Sequence, residues 1–136
     1  MTDHLCAFLI HDHTKSFNEL EGMLKDLSVE TWTIETCDSA ESLFVQQKPS
    51  LVFVDSSVWE RECEQLAELV RKVHLVVNVI VVGIVTDIEL YVSAIKRGAF
   101  SFIAPPFAHD GLNIIAHSAA IDVRERRKVM AQATVA

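Results

Sequence analysis

Short apolar runs alternate along the chain with longer segments in which apolar residues recur at helical spacing. Dense or alternating apolar runs predict five β-strands, at Leu5–Ile10, 30–36, Leu51–Asp55, 79–82 and 100–103. Apolar residues spaced three or four apart predict a helix after each strand, over 17–27, 39–47, 66–73, 87–97 and 109–130. Pro49 ends the second helix, Asp87 is placed to cap the fourth, and Gly98 ends it. The pattern therefore predicts an α/β protein built from a strand and a helix repeated five times.

This alternation predicts one parallel sheet with helices on both of its faces. The run 79–82 is apolar throughout, which is typical of a strand that is covered on both sides. In such sheets, binding residues lie at the carboxyl ends of the strands. The candidate positions for a site are therefore those that directly follow strands, namely 11–13, 55–57, 83 and 104–106.

Composition and charge narrow the function classes. The chain has 136 residues, half of them hydrophobic, which fits one domain with a sizeable core. A net charge of −7 argues against a nucleic-acid-binding surface. One basic cluster, at 124–128, breaks the acidic pattern, and we expect it to be the solvated end of a helix.

The sequence also argues against a membrane or secreted protein. The longest apolar run, 75–85, is interrupted by Asn78 and is too short to span a bilayer, and residues 1–4 lack the charged start of a signal peptide. The three cysteines contain no Cys-x-x-Cys pair, so we expect reduced thiols and a cytoplasmic location.

Two carboxylates, Asp12 and Asp55, follow buried strands. Side by side at one sheet edge they would repel each other unless a cation joined them, and Mg²⁺ prefers such oxygen ligands. The alternative is that one of them caps the following helix or turn. The run His11-Asp12-His13 also allows a zinc or manganese site, although adjacent residues after a strand point in different directions.

Four segments together resemble the receiver domain of two-component response regulators, of the chemotaxis-regulator type. They read FLIHDH, PSLVFVD, VIVVG and AIKRGAFSFIAPPF, and the resemblance covers about residues 5–121. It implies a flavodoxin-like sheet with strand order 2-1-3-4-5. It also implies a receiver-like domain over 1–121, followed by a helical extension or tail over 122–136.

The resemblance implies a phosphoryl-acceptor site. Asp55 matches the aspartate that accepts a phosphoryl group from a histidine kinase. The acidic pair that holds Mg²⁺ falls on His11 and Asp12, and the backbone carbonyl that completes the metal site falls on Ser57. The implied metal ligands are therefore Asp12, Asp55 and Ser57.

Three further family positions carry the response to phosphorylation. The serine or threonine that bonds the phosphoryl oxygen matches Gly83, and the lysine that pairs with it matches Pro105. The switch aromatic on the fifth strand matches Phe102. We also expect the Pro105–Pro106 peptide bond to be cis, as in the family's turn.

Three site positions therefore depart from the family, at His11, Gly83 and Pro105. Glycine offers no hydroxyl, proline offers no donor, and histidine replaces a carboxylate. Losing one positioned donor commonly lowers a rate by about 10²–10³-fold, roughly 3–4 kcal/mol. The sequence thus predicts an atypical, non-enzymatic receiver in which phosphorylation switching is impaired or absent and Mg²⁺ binds weakly.

Two other functions are kept open. One is a working phospho-acceptor that uses Asp55 in a relaxed site. The other is a flavodoxin-like nucleotide or flavin binder, which the loop at 11–16 disfavours because it contains no glycine.

The expected partners are signalling proteins, either a histidine kinase or an output or adaptor protein. The long last helix suggests a homodimer through the fourth helix, fifth strand and fifth helix, a face through which the family commonly pairs. The extension fits either a stand-alone adaptor or part of a longer regulator.

Overall fold

The computed structural model describes residues 5–12, 15–37, 40–84 and 87–135. Within these residues the strands are β1 (Leu5–Ile10), β2 (Val29–Ile34), β3 (Leu51–Asp55), β4 (Asn78–Val82) and β5 (Ser101–Ile103). The helices are α1 (Lys15–Asp26), α2 (Glu41–Gln47), α3 (Ser56–Lys72), α4 (Ile88–Lys96) and α5 (His109–Val135). None of the described helices is long and apolar enough to cross a membrane.

The five strands form one parallel sheet in the order β2-β1-β3-β4-β5, which confirms the predicted fold. Its register aligns the carboxyl ends of the strands. Ile10 pairs with Val54, Asp55 pairs with Val82, and Val82 pairs with Ile103. The residues that follow β1, β3, β4 and β5 therefore lie along one edge of the sheet.

Each face of the sheet has its own core, because successive strand residues point to opposite faces. In β1, Phe8 and Ile10 pack on one side and Ala7 and Leu9 on the other, and all four are buried. The first core is closed by α2 and α3, where Phe44 meets Phe8 edge-on with the ring centroids 4.7 Å apart. The second core is closed by residues of α1 and α5, including Phe17, Leu20, Leu24, Leu112, Ala116 and Ala119.

The helix after β3 differs most from the predicted pattern. α3 starts at Ser56, directly after β3, whereas clear apolar spacing begins only at Leu66. Glu62 interrupts the helix with φ −127° and ψ 15°. Its carboxylate accepts a hydrogen bond from the backbone N–H of Cys37 at 3.2 Å, which ties the segment after β2 to α3. The predicted start of the second helix, at residue 39, lies outside the described residues.

The second half of α5 is bound to the amino edge of the sheet. The guanidinium of Arg127 donates to the carbonyl of Pro49 at 2.8 Å and to that of Val76 at 3.2 and 2.9 Å. Arg126 donates to Asn78 and to Asp122, and Asn78 donates to Asp122 at 3.0 Å. The expectation that the basic cluster is a solvated helix end is therefore wrong for Arg127, which is half-buried, whereas Arg126 is exposed as expected.

These contacts shift two ionisation equilibria. Hydrogen bonds from Asn78 and Arg126 stabilise the charged form of Asp122, so its pKa lies below the usual aspartate value. Burial, together with the neighbouring charge of Arg126, lowers the pKa of Arg127.

Candidate functional site

The candidate site lies at the carboxyl edge of the sheet. The sheet register brings His11, Asp55, Gly83 and the residues after β5 to this edge, as the sequence predicted. Asp12 is exposed there. His13, the second histidine of the run considered for a zinc or manganese site, lies outside the described residues.

Asp55 is the buried carboxylate of the site. It is 8% exposed, and its Oδ1 accepts a hydrogen bond from the backbone N–H of Ser57 at 3.3 Å. The carboxylate thus caps α3, where the positive end of the helix dipole also stabilises negative charge. The capping alternative considered from the sequence therefore holds for Asp55.

The position of Ser57 in the first turn of α3 also determines the direction of its backbone carbonyl. In an α-helix, carbonyl groups point along the axis toward the carboxyl end. The carbonyl of Ser57 is therefore directed away from the start of α3, where Asp55 is the capping residue. Among the described residues, no group of three or more histidine, cysteine, aspartate or glutamate side chains could hold a metal ion.

His11 occupies the place of a carboxylate but packs as a core side chain. It is 7% exposed, and its ring stacks on that of Phe17 with centroids 4.4 Å apart and planes 14° from parallel. Its backbone N–H donates to the carbonyl of Ile34 at 3.2 Å. The imidazole is thus engaged with α1 and the inner core.

Gly83 and Phe102 occupy the same small region beside the sheet edge. A Cβ atom built on Gly83 would lie 2.3 Å from Cζ of Phe102, and 3.1 and 3.2 Å from its two Cε atoms. Gly83 is buried, and its N–H donates to the carbonyl of Ile103 at 2.8 Å. The Phe102 ring therefore fills the space where any larger residue at position 83 would place its side chain.

The Phe102 ring also contacts α4. Tyr91 meets it edge-on with centroids 6.4 Å apart and planes at 77°. Nothing in the sequence pattern identified Tyr91 as part of this region. Its contact depends on the position of α4, which apolar spacing does not report.

The turn after β5 contains two consecutive prolines and no charged side chain. The Pro105–Pro106 peptide bond is cis, which confirms the prediction. Pro105 is half-buried. It offers neither a side-chain donor nor a backbone N–H.

A second surface feature of the domain is the exposed apolar face of α4. Ala94 is the one residue of the helix that is buried, whereas Ile88, Tyr91, Val92 and Ile95 are 77%, 46%, 42% and 37% exposed. A helix with this much exposed apolar surface is typical of a protein-binding face.

Comparisons with known proteins agree with this fold. No protein-family model matches the chain. The nitrogen assimilation regulatory protein NtrX of Azorhizobium caulinodans is 30% identical over 125 residues, which cover 89% of this chain and 27% of that protein. The chain thus spans about a quarter of the length of this curated relative.

Solved structures give the same result. The receiver domain of NtrX from Brucella abortus is 29% identical with a TM-score of 0.63, and the match covers 84% of this chain and 97% of that one. NtrX from the same organism in complex with ATP is 28% identical with a TM-score of 0.73, over 96% of this chain and 29% of that one.

The sheet order and the site at its carboxyl edge define a doubly wound α/β domain of the flavodoxin-like class. With Asp55 at the end of β3, the chain is similar in sequence and fold to the receiver domain of NtrX, a nitrogen assimilation regulatory protein.

Proposed function

We propose that this receiver domain acts mainly as a protein–protein interaction module in two-component signalling, with impaired or absent phosphorylation switching. The observation that carries the proposal is the packing of Phe102 over Gly83. The site has no hydroxyl at this position to draw toward a phosphoryl group, and the Phe102 ring fills the space that such a side chain would need.

The chemistry of the remaining positions supports the same proposal. Phosphoryl transfer depends on positioned positive charge and hydrogen-bond donors around the transferred group. Pro105 supplies neither, and His11 is stacked in the core where the family has a carboxylate. Each missing donor would lower the rate by about 10²–10³-fold.

Metal binding is proposed to be weak for a related reason. Asp12 and Asp55 are the carboxylates that follow β1 and β3 at this edge, and Asp55 already accepts a hydrogen bond from the N–H of Ser57. The carbonyl of Ser57 is directed along α3, so it is poorly placed to complete a magnesium site.

The second candidate function is a working phospho-acceptor, which the position of Asp55 at the end of β3 favours. The test is incubation with a small phosphodonor and Mg²⁺, followed by intact mass, with Asp55→Asn as the unlabelled control. We expect slow or absent labelling. Rapid stoichiometric labelling that disappears in Asp55→Asn, together with a change in oligomeric state, would contradict impaired switching.

We further propose the α4 surface as the face that contacts partners in the cytoplasm, whether a histidine kinase, an output protein or a second copy of the chain. Together with β5 and α5 it would form the homodimer, because Ile114 on α5 is also 65% exposed. Sedimentation of Val92→Asp, compared with Val45→Asp on α2, tests this face. A wild-type protein that stays monomeric at high concentration would contradict the homodimer.

The contacts of α5 also bear on the extent of the domain. Val123 is 1% exposed, and Arg127 binds carbonyls of the domain body. We therefore propose that the receiver body extends past residue 121 to Arg127, and that the tail begins after it.

A further inference from the structure

A groove of about 800 Å³ lies on the opposite side of the domain from Asp55. It is formed by the second half of α5 and by residues at the amino edge of the sheet, including Leu5 at the start of β1 and Ser28 just before β2. This volume falls within the range of roughly 300–1,000 Å³ that is typical of binding pockets. The groove is therefore large enough for several side chains of a partner.

The floor of the groove is apolar. Leu5 and Leu27 are half-buried, Val123 is buried, and Ile121 is 50% exposed at the side of the groove. A partner that covers exposed aliphatic surface of this kind gains binding free energy, because burial removes the apolar groups from water. A purely polar or ionic ligand would leave this apolar floor in contact with water.

The charged side chains around the floor share one sign. Among the described residues that line the groove, none is acidic, and the basic ones lie on α5 at His117, Arg124, Arg127 and Lys128. Arg127 is already bound to the carbonyls of Pro49 and Val76. The ion pair of Lys128 with Glu125 is exposed on both sides, so it holds the lysine only weakly.

The basic side chains form a line rather than a cluster. His117, Arg124 and Lys128 are seven and four residues apart, so they share one face of α5. At 1.5 Å per residue, the line is about 16 Å long. A compact anion would meet one end of it, whereas an elongated segment with carboxylates along one side would meet all of it.

We propose that this groove docks an acidic amphipathic helix of a partner protein, with its apolar side on Ile121 and Leu27 and its carboxylates along Arg124 and Lys128. The local positive line stands out on a chain of net charge −7, so it would also orient an acidic segment before contact. The proposal does not rest on the state of Asp55, which lies at the other edge of the sheet.

The test is selection of binders from a random library of helix-forming peptides against the native protein. The enriched peptides are then titrated against Arg124→Glu/Lys128→Glu and against Ile121→Asp. The matched controls are Lys72→Glu on α3 and Val45→Asp on α2, which change exposed residues outside the groove. Thermal unfolding checks that each variant folds. If Ile121→Asp does not fold, the charge-reversal variant still tests the proposal, because it leaves the apolar floor of the groove unchanged.

We expect the enriched peptides to be amphipathic and acidic. Both groove variants should weaken binding by about tenfold or more, while both controls should leave it unchanged. Amide chemical-shift changes should centre on Leu27, Ser28 and Ile121. Enrichment of basic or neutral peptides, binding equal in all variants, shifts on α4 or no enrichment at all would overturn the proposal. Self-association that Ile121→Asp abolishes would also overturn it, since the occupant would then be a second copy.

Discussion

Replacing Gly83 with alanine tests the packing on which the proposed function depends. The new Cβ would lie 2.3 Å from Cζ of Phe102, whereas carbon atoms in contact are ordinarily about 3.5–4.0 Å apart. The ring would have to withdraw by more than about 1 Å, and overpacking of this kind typically costs about 1–3 kcal/mol of folding free energy. The φ angle of Gly83 lies outside the left-handed region, so the cost comes from this contact.

Gly22 in α1 provides the matched control. A Cβ atom at Gly22 would meet nothing within 4 Å, and the residue is exposed within a helix. Gly22→Ala should therefore stabilise the protein by about 0.8–1 kcal/mol, since alanine is the better helix former. The two glycine-to-alanine changes should move stability in opposite directions.

Urea unfolding of Gly83→Ala, Phe102→Ala and the double variant completes the experiment. Because the alanine methyl group fits the space vacated by the ring, we expect a favourable coupling energy of about 1–3 kcal/mol in the double variant. If Gly83→Ala stays within about 0.5 kcal/mol of wild type, and the two changes add, the ring is not held over Gly83 and our reasoning is wrong.

Three further predictions concern the capping carboxylate and the attachment of α5. Arg127→Ala should lower the free energy of unfolding by about 1.5–3 kcal/mol, because the guanidinium binds the carbonyls of Pro49 and Val76, while Lys128→Ala should change it by less than about 0.5 kcal/mol. Equal effects in urea unfolding would contradict this attachment. Asp55→Ala removes the helix cap and should lower the free energy of unfolding by about 0.5–2 kcal/mol, whereas Asp55→Asn should keep most of the capping contribution. Urea unfolding of both variants measures this difference. The folded-state pKa of Asp122 is lowered, so its contribution to stability is present above the ordinary aspartate pKa and is lost as the pH falls through the folded value. Asp122→Asn should therefore flatten the acid limb of the stability–pH curve, and an unchanged limb would disprove the linkage.

The sheet was predictable because its signal is local and strong. The apolar runs of β1, β3 and β4 identify buried parallel strands, and residues at strand ends must meet at one edge. The positions of Asp55 and Gly83 follow from that rule alone. The cis bond before Pro106 was predictable only through the resemblance of its turn to a known family.

The details that decide function were less predictable, for physical reasons. A glycine at position 83 shows that a hydroxyl is missing, but the sequence does not say which side chain fills the space. The basic pattern of Arg126 and Arg127 is the same whether they are solvated or bound to backbone carbonyls. The early start of α3 depends on the cap at Asp55. This cap is a side-chain hydrogen bond, which the spacing of apolar residues does not predict.

The most direct test of the account is the response of the Phe102 ring to phosphorylation chemistry. Aromatic NMR signals of the ring, assigned with Phe102→Leu, would be followed while a small phosphodonor and Mg²⁺ are added and intact mass reports the labelled fraction. With the ring packed over Gly83, we predict that its signals and those of α4 stay unchanged, even in any fraction that becomes labelled. Signals that shift in proportion to labelling, and that stay fixed in Asp55→Asn, would contradict the proposal that this receiver does not switch.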